Sequence, residues 1–270
     1  MIKISIVNLS SLFSDTDLRI AANALQIQVT RDFYPIWGIN AKMYYTPRGS
    51  HPTADHWAMG IFDDPDQADA LGYHDVTPQG QPLMKVFVKP TLAQGSAVEA
   101  TMSHENLECL VDPDINLTVE LDDASGRPSK LYAYEVCDSP EADEFNYAIQ
   151  TDGKEVPVSD FVTPAFFESF RTSGPFDFMN KISKPFQILP GGYMGFLDLG
   201  NLAAGWQQEL GGFKGRMVFG SGPAEASIMR QVALARPRPG SRRSRRRLPR
   251  SQWLRSSYNS GTEAIEAVAV

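Results

Sequence analysis

The chain has 270 residues, of which 42% are hydrophobic and 21% are charged, a composition typical of a globular protein large enough to bury a full core. Its net charge of −7 is unevenly distributed, because the segment 236–255 contains nine arginines and no acidic residue, and removing it leaves −16. Two cysteines exclude a disulfide framework, and the absence of any apolar run of about 18 residues excludes a transmembrane helix. The N-terminus lacks a secretion signal. We therefore expect a protein that is cytoplasmic or packaged in a particle.

The first elements in chain order are a strand, a helix and a group of strands. Ser14 or Asp15 is a suitable N-cap for the helix, which apolar residues at helical spacing continue until Trp37-Gly38 ends it. Strand-like runs follow at 41–46, 57–62, 72–75 and 83–88. After a break marked by Pro90 and Gly95, a second helix is expected at about 96–110, and Asp112-Pro113 would stop it.

The chain beyond this helix is rich in strands and loops. Strands are predicted at 116–121, 130–136, 145–150 and 155–158, and the Gly- and Phe-rich stretch 174–219 indicates irregular structure with short strands. Residues 1–235 are therefore interpreted as one α+β domain. Residues 236–270, the Arg-rich tail, have no apolar periodicity in their basic part and are expected to be disordered or bound to a partner.

The second helix carries the strongest chemical signal. His104 and Glu108 are four residues apart and lie on one face of a helix, with Glu105 beside them. An imidazole and a carboxylate in this arrangement can bind one metal ion, and the neighbouring carboxylate can accept a proton. The simplest alternative is a solvated charged helix face, which is common on amphipathic helices.

The helix and the order of elements before it resemble the zincin metallopeptidases. Their metal helix carries the sequence His-Glu-x-x-His, and here Glu108 stands in place of the second His. The resemblance covers roughly residues 1–140 and implies an N-terminal helix and a small twisted mixed sheet in front of the metal helix. It also implies an edge strand beside the substrate groove, either at 83–88 or at 72–75.

The resemblance implies a role for each polar residue. His104 and Glu108 would be metal ligands, Glu105 would be the general base, and the substrate would be a peptide or protein. Zn²⁺ is the expected ion, but a second carboxylate ligand shifts the preference towards Mn²⁺ or Fe²⁺. The third ligand is left open: Glu135 is favoured, and the alternatives are Asp138, Asp112, Asp114, Cys137 and His74, the last of which is also a candidate oxyanion donor.

A second hypothesis is a non-catalytic structural or interaction protein of a phage or another large assembly, anchored by the Arg-rich tail. The tail is suited to contacts with nucleic-acid phosphates or with an acidic protein surface, and a membrane is not expected as a partner. A solvated linker is the alternative interpretation of the same residues. The arginines on which the binding hypothesis depends are Arg242, Arg243, Arg245, Arg246 and Arg247.

Overall fold

The computed structural model describes residues 1–67 and 70–212. Within these ranges the chain has an α+β fold, as expected, with a five-stranded sheet, a four-stranded sheet and a two-stranded hairpin. The five-stranded sheet contains β1 (Ile2–Asn8), β2 (Ala41–Thr46), β3 (Trp57–Phe62), β4 (Gly72–Val76) and β5 (Pro82–Phe87). The helices are α1 (Asp15–Ile27), α2 (Tyr34–Trp37), α3 (Val88–Ala93) and α4 (Val98–Val111). The remaining strands are β6 (Thr118–Asp122), β7 (Pro128–Ala133), β8 (Tyr147–Thr151), β9 (Lys154–Val158), β10 (Tyr193–Asp198) and β11 (Trp206–Leu210).

The N-terminal helix begins and ends where the sequence predicts. The Ser14 hydroxyl accepts a hydrogen bond from the backbone N–H of Asp17, and Gly38 ends the helical run in the left-handed conformation (φ 69°). Between α1 and α2 lies a π-helical segment, Gln28–Phe33, that the sequence pattern does not predict. Its first residue points inward: Gln28 is fully buried, accepts a hydrogen bond from the Ser103 hydroxyl of α4 and donates one to the Ser159 carbonyl.

The five-stranded sheet has the order β2-β1-β3-β5-β4. All neighbouring pairs are parallel except β4 and β5, which are antiparallel, so β4 forms an edge that runs against the other strands. Of the two segments expected as the edge strand, 72–75 is therefore the edge and 83–88 corresponds to the internal strand β5. Every residue of β5 is buried, as expected for a strand that is covered on both faces.

A short helix, α3, occupies the stretch where the sequence predicts only a break. Pro90 is compatible with it because the first turn of a helix does not use the backbone N–H groups for internal hydrogen bonds. The Thr91 hydroxyl bonds to the Phe87 carbonyl, and Gly95 (φ 79°) then makes the turn into α4. Twelve of the fourteen residues of α4 are buried, so this helix crosses the interior of the domain.

The part of the chain after α4 consists of short strands joined by long loops. β6 and β7 form an antiparallel hairpin that joins β10 and β11 in one sheet. β7 ends at Ala133, before the predicted end at 136, because the chain leaves the sheet to pack against other elements: the Tyr134 ring stacks on Phe167 with 4.0 Å between centroids, and the Val162 N–H donates to the Val136 carbonyl. Residues 134–139 form the connecting loop that follows β7.

The Arg-rich tail and the predicted domain boundary at residue 235 lie outside the described residues, as do residues 68–69 and 213–235. The binding role predicted for Arg242, Arg243 and Arg245–Arg247 therefore stays a prediction. Among the helices in the described ranges, none has both the length and the apolar character that crossing a bilayer requires.

Candidate metal centre

His104 and Glu108 lie side by side in the interior of the domain. The distance from His104 Nε2 to Glu108 Oε2 is 3.3 Å, as the one-turn spacing on α4 predicts. His104 is only 6% exposed and Glu108 is completely buried. This burial excludes a solvated charged face as the explanation of the motif, since such a face would leave both side chains in water.

Asp138 completes a group of three with these two residues. Its Oδ1 atom lies 3.3 Å from His104 Nε2, and ligand atoms of His104, Glu108 and Asp138 all lie within 4.8 Å of one another. The connecting loop is held by the chain that follows it: the Tyr193 N–H donates to the Asp138 carbonyl and the Leu189 N–H to the Ser139 carbonyl. These backbone hydrogen bonds hold the loop at Asp138 against the start of β10.

The dimensions of this group fit a divalent ion. Nitrogen and oxygen ligands bind zinc at about 2.0–2.1 Å, and tetrahedral angles then place neighbouring ligand atoms about 3.3–3.4 Å apart. The distances from His104 Nε2 to Glu108 Oε2 and to Asp138 Oδ1 are both 3.3 Å. Two edges of the triangle therefore have the length that one small ion would require.

Glu105 and His74 extend the cluster towards the edge strand. Side chains alternate along β4, so Gly72 and His74 share one face of the strand and Tyr73 and Asp75 the other. His74 Nδ1 lies 3.6 Å from Glu105 Oε2 and 3.8 Å from Glu108 Oε2. Both side chains are buried, with His74 1% and Glu105 2% exposed, so the two acids of α4 face the same imidazole in the interior.

Glu135, the third ligand favoured from the sequence, belongs to a second group of three. Ligand atoms of His74, Glu108 and Glu135 lie within 4.8 Å of one another, and Glu135 is 3% exposed. The structure thus brings Glu135 to Glu108 and His74, and it brings Asp138 to Glu108 and His104. Glu108 is common to both groups.

Asp112, Asp114 and Cys137, which the sequence also offers as third ligands, belong to neither group of three. The Asp112 carboxylate accepts hydrogen bonds from the backbone N–H groups of Asn116 and Leu117, so it shapes the turn after α4. Asp114 is exposed. Cys137 contributes its backbone N–H, which donates to Glu108 Oε1 over 3.3 Å. Burial, followed by the charge of nearby acids that include Glu108, raises the pKa of the Cys137 thiol well above its ordinary value.

One feature of the site was accessible to sequence reasoning only in part, and one hydrogen-bond network that reaches α4 was not accessible at all. The Gly-Tyr-His-Asp run indicates a short extended piece, and its alternation places Gly72 and His74 together, but nothing in the run shows that this face meets α4. The buried hydrogen bonds that join Gln28, Ser103 and Ser159 have no sequence signal, because they depend on the π-helical segment.

Comparison of the chain with protein-family models, with curated proteins and with solved structures finds no match. The function has to be inferred from the residues of the cluster and from the fold that positions them.

Proposed function

We propose that the protein is a metal-dependent hydrolase of the zincin type that acts on peptide bonds. The observation that carries the proposal is the convergence of His104, Glu108 and Asp138 with ligand atoms within 4.8 Å, on a helix that also carries the buried carboxylate of Glu105. Asp138 takes the place for which the sequence favoured Glu135.

The order of elements supports the same proposal. The resemblance to zincins implies an N-terminal helix and a small mixed sheet before the metal helix, with an edge strand beside the substrate. The observed chain has α1, a five-stranded mixed sheet and then α4, and its antiparallel edge strand β4 faces the acids of α4. A substrate backbone lying along β4 would be close to Glu105.

Each residue has a defined task in this proposal. His104, Glu108 and Asp138 would hold the ion, which when bound would supply the Lewis acidity that makes water acidic near neutral pH. Glu105 would accept a proton from the attacking water and return it to the leaving amine. The His74 imidazole faces this carboxylate, with 3.6 Å between His74 Nδ1 and Glu105 Oε2. Glu108 adds a negative charge where zincins have a neutral imidazole, which favours Mn²⁺ or Fe²⁺ beside Zn²⁺.

The test combines metal analysis with a peptidase assay on the full chain. The purified protein is analysed for zinc, manganese and iron and incubated with a library of internally quenched peptides. His104→Ala should lose the ion of this position and hydrolysis, whereas Glu105→Gln should keep the ion and lose at least about 100-fold in rate, the usual loss for a general base. Glu99→Gln, on the first turn of the same helix, is the matched control and should keep both.

Two results would count against the proposal. If no metal binds to a folded wild-type protein, the ligand assignment fails. If metal binds and Glu105→Gln hydrolyses peptides at the wild-type rate, Glu105 is not the base.

A second candidate is a non-catalytic protein in which the ion is structural. Zinc sites with a structural role are closed, whereas catalytic sites leave one position open to water. The burial of the cluster is typical of a closed site, since its most exposed member, His104, is only 6% exposed. Stoichiometric metal that raises the melting temperature, with no hydrolysis of any library peptide, would decide for this candidate.

A further inference from the structure

We propose that the cluster holds two divalent ions, with Glu108 shared between them. The first position is the one used in the proposed function, His104, Glu108 and Asp138, and the inference rests on that assignment. The second position is formed by His74, Glu108 and Glu135. The first ion would join α4 to the connecting loop, and the second would join β4, α4 and the connecting loop.

Glu108 is placed to serve both positions. Its Oε2 atom lies 3.3 Å from His104 Nε2 and 3.8 Å from His74 Nδ1, so one carboxylate oxygen faces two imidazoles. Its Oε1 atom accepts the Cys137 N–H, which fixes the rotation of the carboxylate. A carboxylate offers about four lone-pair directions and can bind two cations at once. Carboxylates in this role are typical of two-metal hydrolases, whose ions lie about 3.5–4 Å apart.

His74 gives an independent indication of a ligand at the second position. It is 1% exposed, and neither of its ring nitrogens has a hydrogen-bond partner among the residues that the structure describes. Buried polar atoms in native proteins are nearly always hydrogen-bonded, and an imidazole that is not is an exception requiring an explanation. Its Nδ1 atom points towards the carboxylates of Glu105 and Glu108, where a cation would bind to it directly.

The charge of the cluster is that of a two-ion site. Four carboxylates and two imidazoles meet in the interior, which gives a formal charge of −4 when the imidazoles are neutral and −2 when both are protonated. Buried charge is costly unless it is compensated by opposite charge. One divalent ion with neutral imidazoles leaves −2, whereas two bring the cluster to neutrality. The carboxylates are Glu105, Glu108, Glu135 and Asp138.

The ligand set also indicates the class of ion. Each position would combine one imidazole with two carboxylates, a set that suits Mn²⁺, Fe²⁺ and Zn²⁺ better than ions that prefer thiolates. The contact between Glu108 Oε2 and the imidazole is longer in the second position, 3.8 Å to His74 Nδ1 compared with 3.3 Å to His104 Nε2. Mn²⁺ is therefore the probe with which both positions can be filled and observed.

The experiment measures ion stoichiometry, which does not depend on activity. The full chain is stripped with a chelator, dialysed against Mn²⁺ and analysed for bound metal per chain. Wild type should bind two ions and show the exchange-coupled electron paramagnetic resonance signal of a manganese pair. His74→Ala and Glu135→Gln should each bind one ion without coupling, and so should His104→Ala and Asp138→Asn. Glu108→Gln should weaken binding at both positions by at least about ten-fold.

Controls and contrary results separate this inference from the proposed function. His51→Ala, at an exposed histidine, should bind two ions with the wild-type coupling. One ion in the wild type, lost in His104→Ala and kept in His74→Ala, would overturn the second position and leave the first intact. Two coupled ions without hydrolysis of any peptide would support the pair and overturn the hydrolase. Because the wild-type measurement is decisive by itself, the test remains valid if a variant fails to fold.

Discussion

Gly72 of the edge strand lies so close to Glu105 of α4 that a Cβ atom at Gly72 would be 2.9 Å from Glu105 Cγ and 3.0 Å from Oε1. The backbone of Gly72 is extended and part of the β4–β5 ladder, so the glycine is needed for space and not for an unusual conformation. The absent side chain lets the Glu105 carboxylate reach His74. The edge strand therefore positions the proposed base.

Gly72→Ala should displace the Glu105 carboxylate without removing any ligand of the first ion. We expect the variant to fold and to keep that ion, but to lose up to about 100-fold in the rate of hydrolysis, since a shift of about 1 Å at a catalytic group has this effect. Gly195→Ala is the matched control, because its Cβ would meet only the Ala133 Cβ at 3.6 Å. Equal rates for the two variants would show that the position of Glu105 does not matter.

Removal of metal should destabilise the protein. An ion that binds only the folded state stabilises it by about 3 kcal/mol at 100 times its Kd, which corresponds to a melting temperature higher by roughly 5–10 °C for a chain of this size. Calorimetry with and without chelator measures the difference. Glu99→Gln should show the full shift and His104→Ala much less of it. A shift of the same size in His104→Ala would place the stabilising ion elsewhere.

Gly192→Ala tests the support of Asp138. A Cβ atom at Gly192 would lie 2.1 Å from the Ser139 carbonyl oxygen and 2.8 Å from that of Asp138, so the connecting loop must move. Overpacking of this kind costs about 1–3 kcal/mol, and the displaced Asp138 should lower metal affinity by about ten-fold. Denaturant unfolding and metal titration measure the two effects, with Gly195→Ala as the control. Unchanged affinity would mean that Asp138 is not a ligand.

The shifted pKa of Asp160, a buried acid outside the metal cluster, predicts how the stability of the protein depends on pH. Burial, followed by the neighbouring Asp177 carboxyl, raises the pKa of Asp160 from 3.8 to about 8. The folded protein therefore binds this proton more tightly than the unfolded chain does, and the stability present at low pH is lost as the pH rises from about 4 through 8. The slope cannot exceed that of one proton, about 1.4 kcal/mol per pH unit.

Asp160→Asn should remove this slope and stabilise the protein at pH 8, because its amide resembles the protonated acid. The Asn oxygen can still accept from the N–H groups of Phe161 and Met179, which now donate to Asp160 Oδ1. Chemical unfolding at several pH values above 5 measures the slope of the unfolding free energy against pH. Asp114→Asn, at an exposed carboxylate, should keep the wild-type slope. A slope that survives in Asp160→Asn belongs to other groups.

The residues that carry local signals were the predictable part of this molecule. Ser14 and Gly38 mark the two ends of the first helical run, and they could be predicted because capping depends on immediate neighbours. The spacing of His104 and Glu108 requires only helical geometry. The α+β class follows from the same local patterns. The solvated-face interpretation could be excluded only when the burial of α4 was known.

The choice of partners for this helix was not predictable, because it depends on contacts between distant segments. Glu135 and Asp138 both belong to the connecting loop, and Tyr134 and Tyr193 determine how that loop turns away from β7. A strand running to 136 would have oriented Glu135 differently. The position of His74 likewise depends on β4 being the edge of the sheet, which alternation within the strand does not reveal.

The whole β6–β7 hairpin lies in the chain between Glu108 and Asp138. An ion bound by these two residues would act as a reversible cross-link that closes the loop containing the hairpin, and closing a loop removes freedom chiefly from the unfolded chain. Loss of the ion would then destabilise this hairpin and its neighbours β10 and β11 first. The parallel strands β1, β3 and β5 are tied together by their own ladders and would respond last.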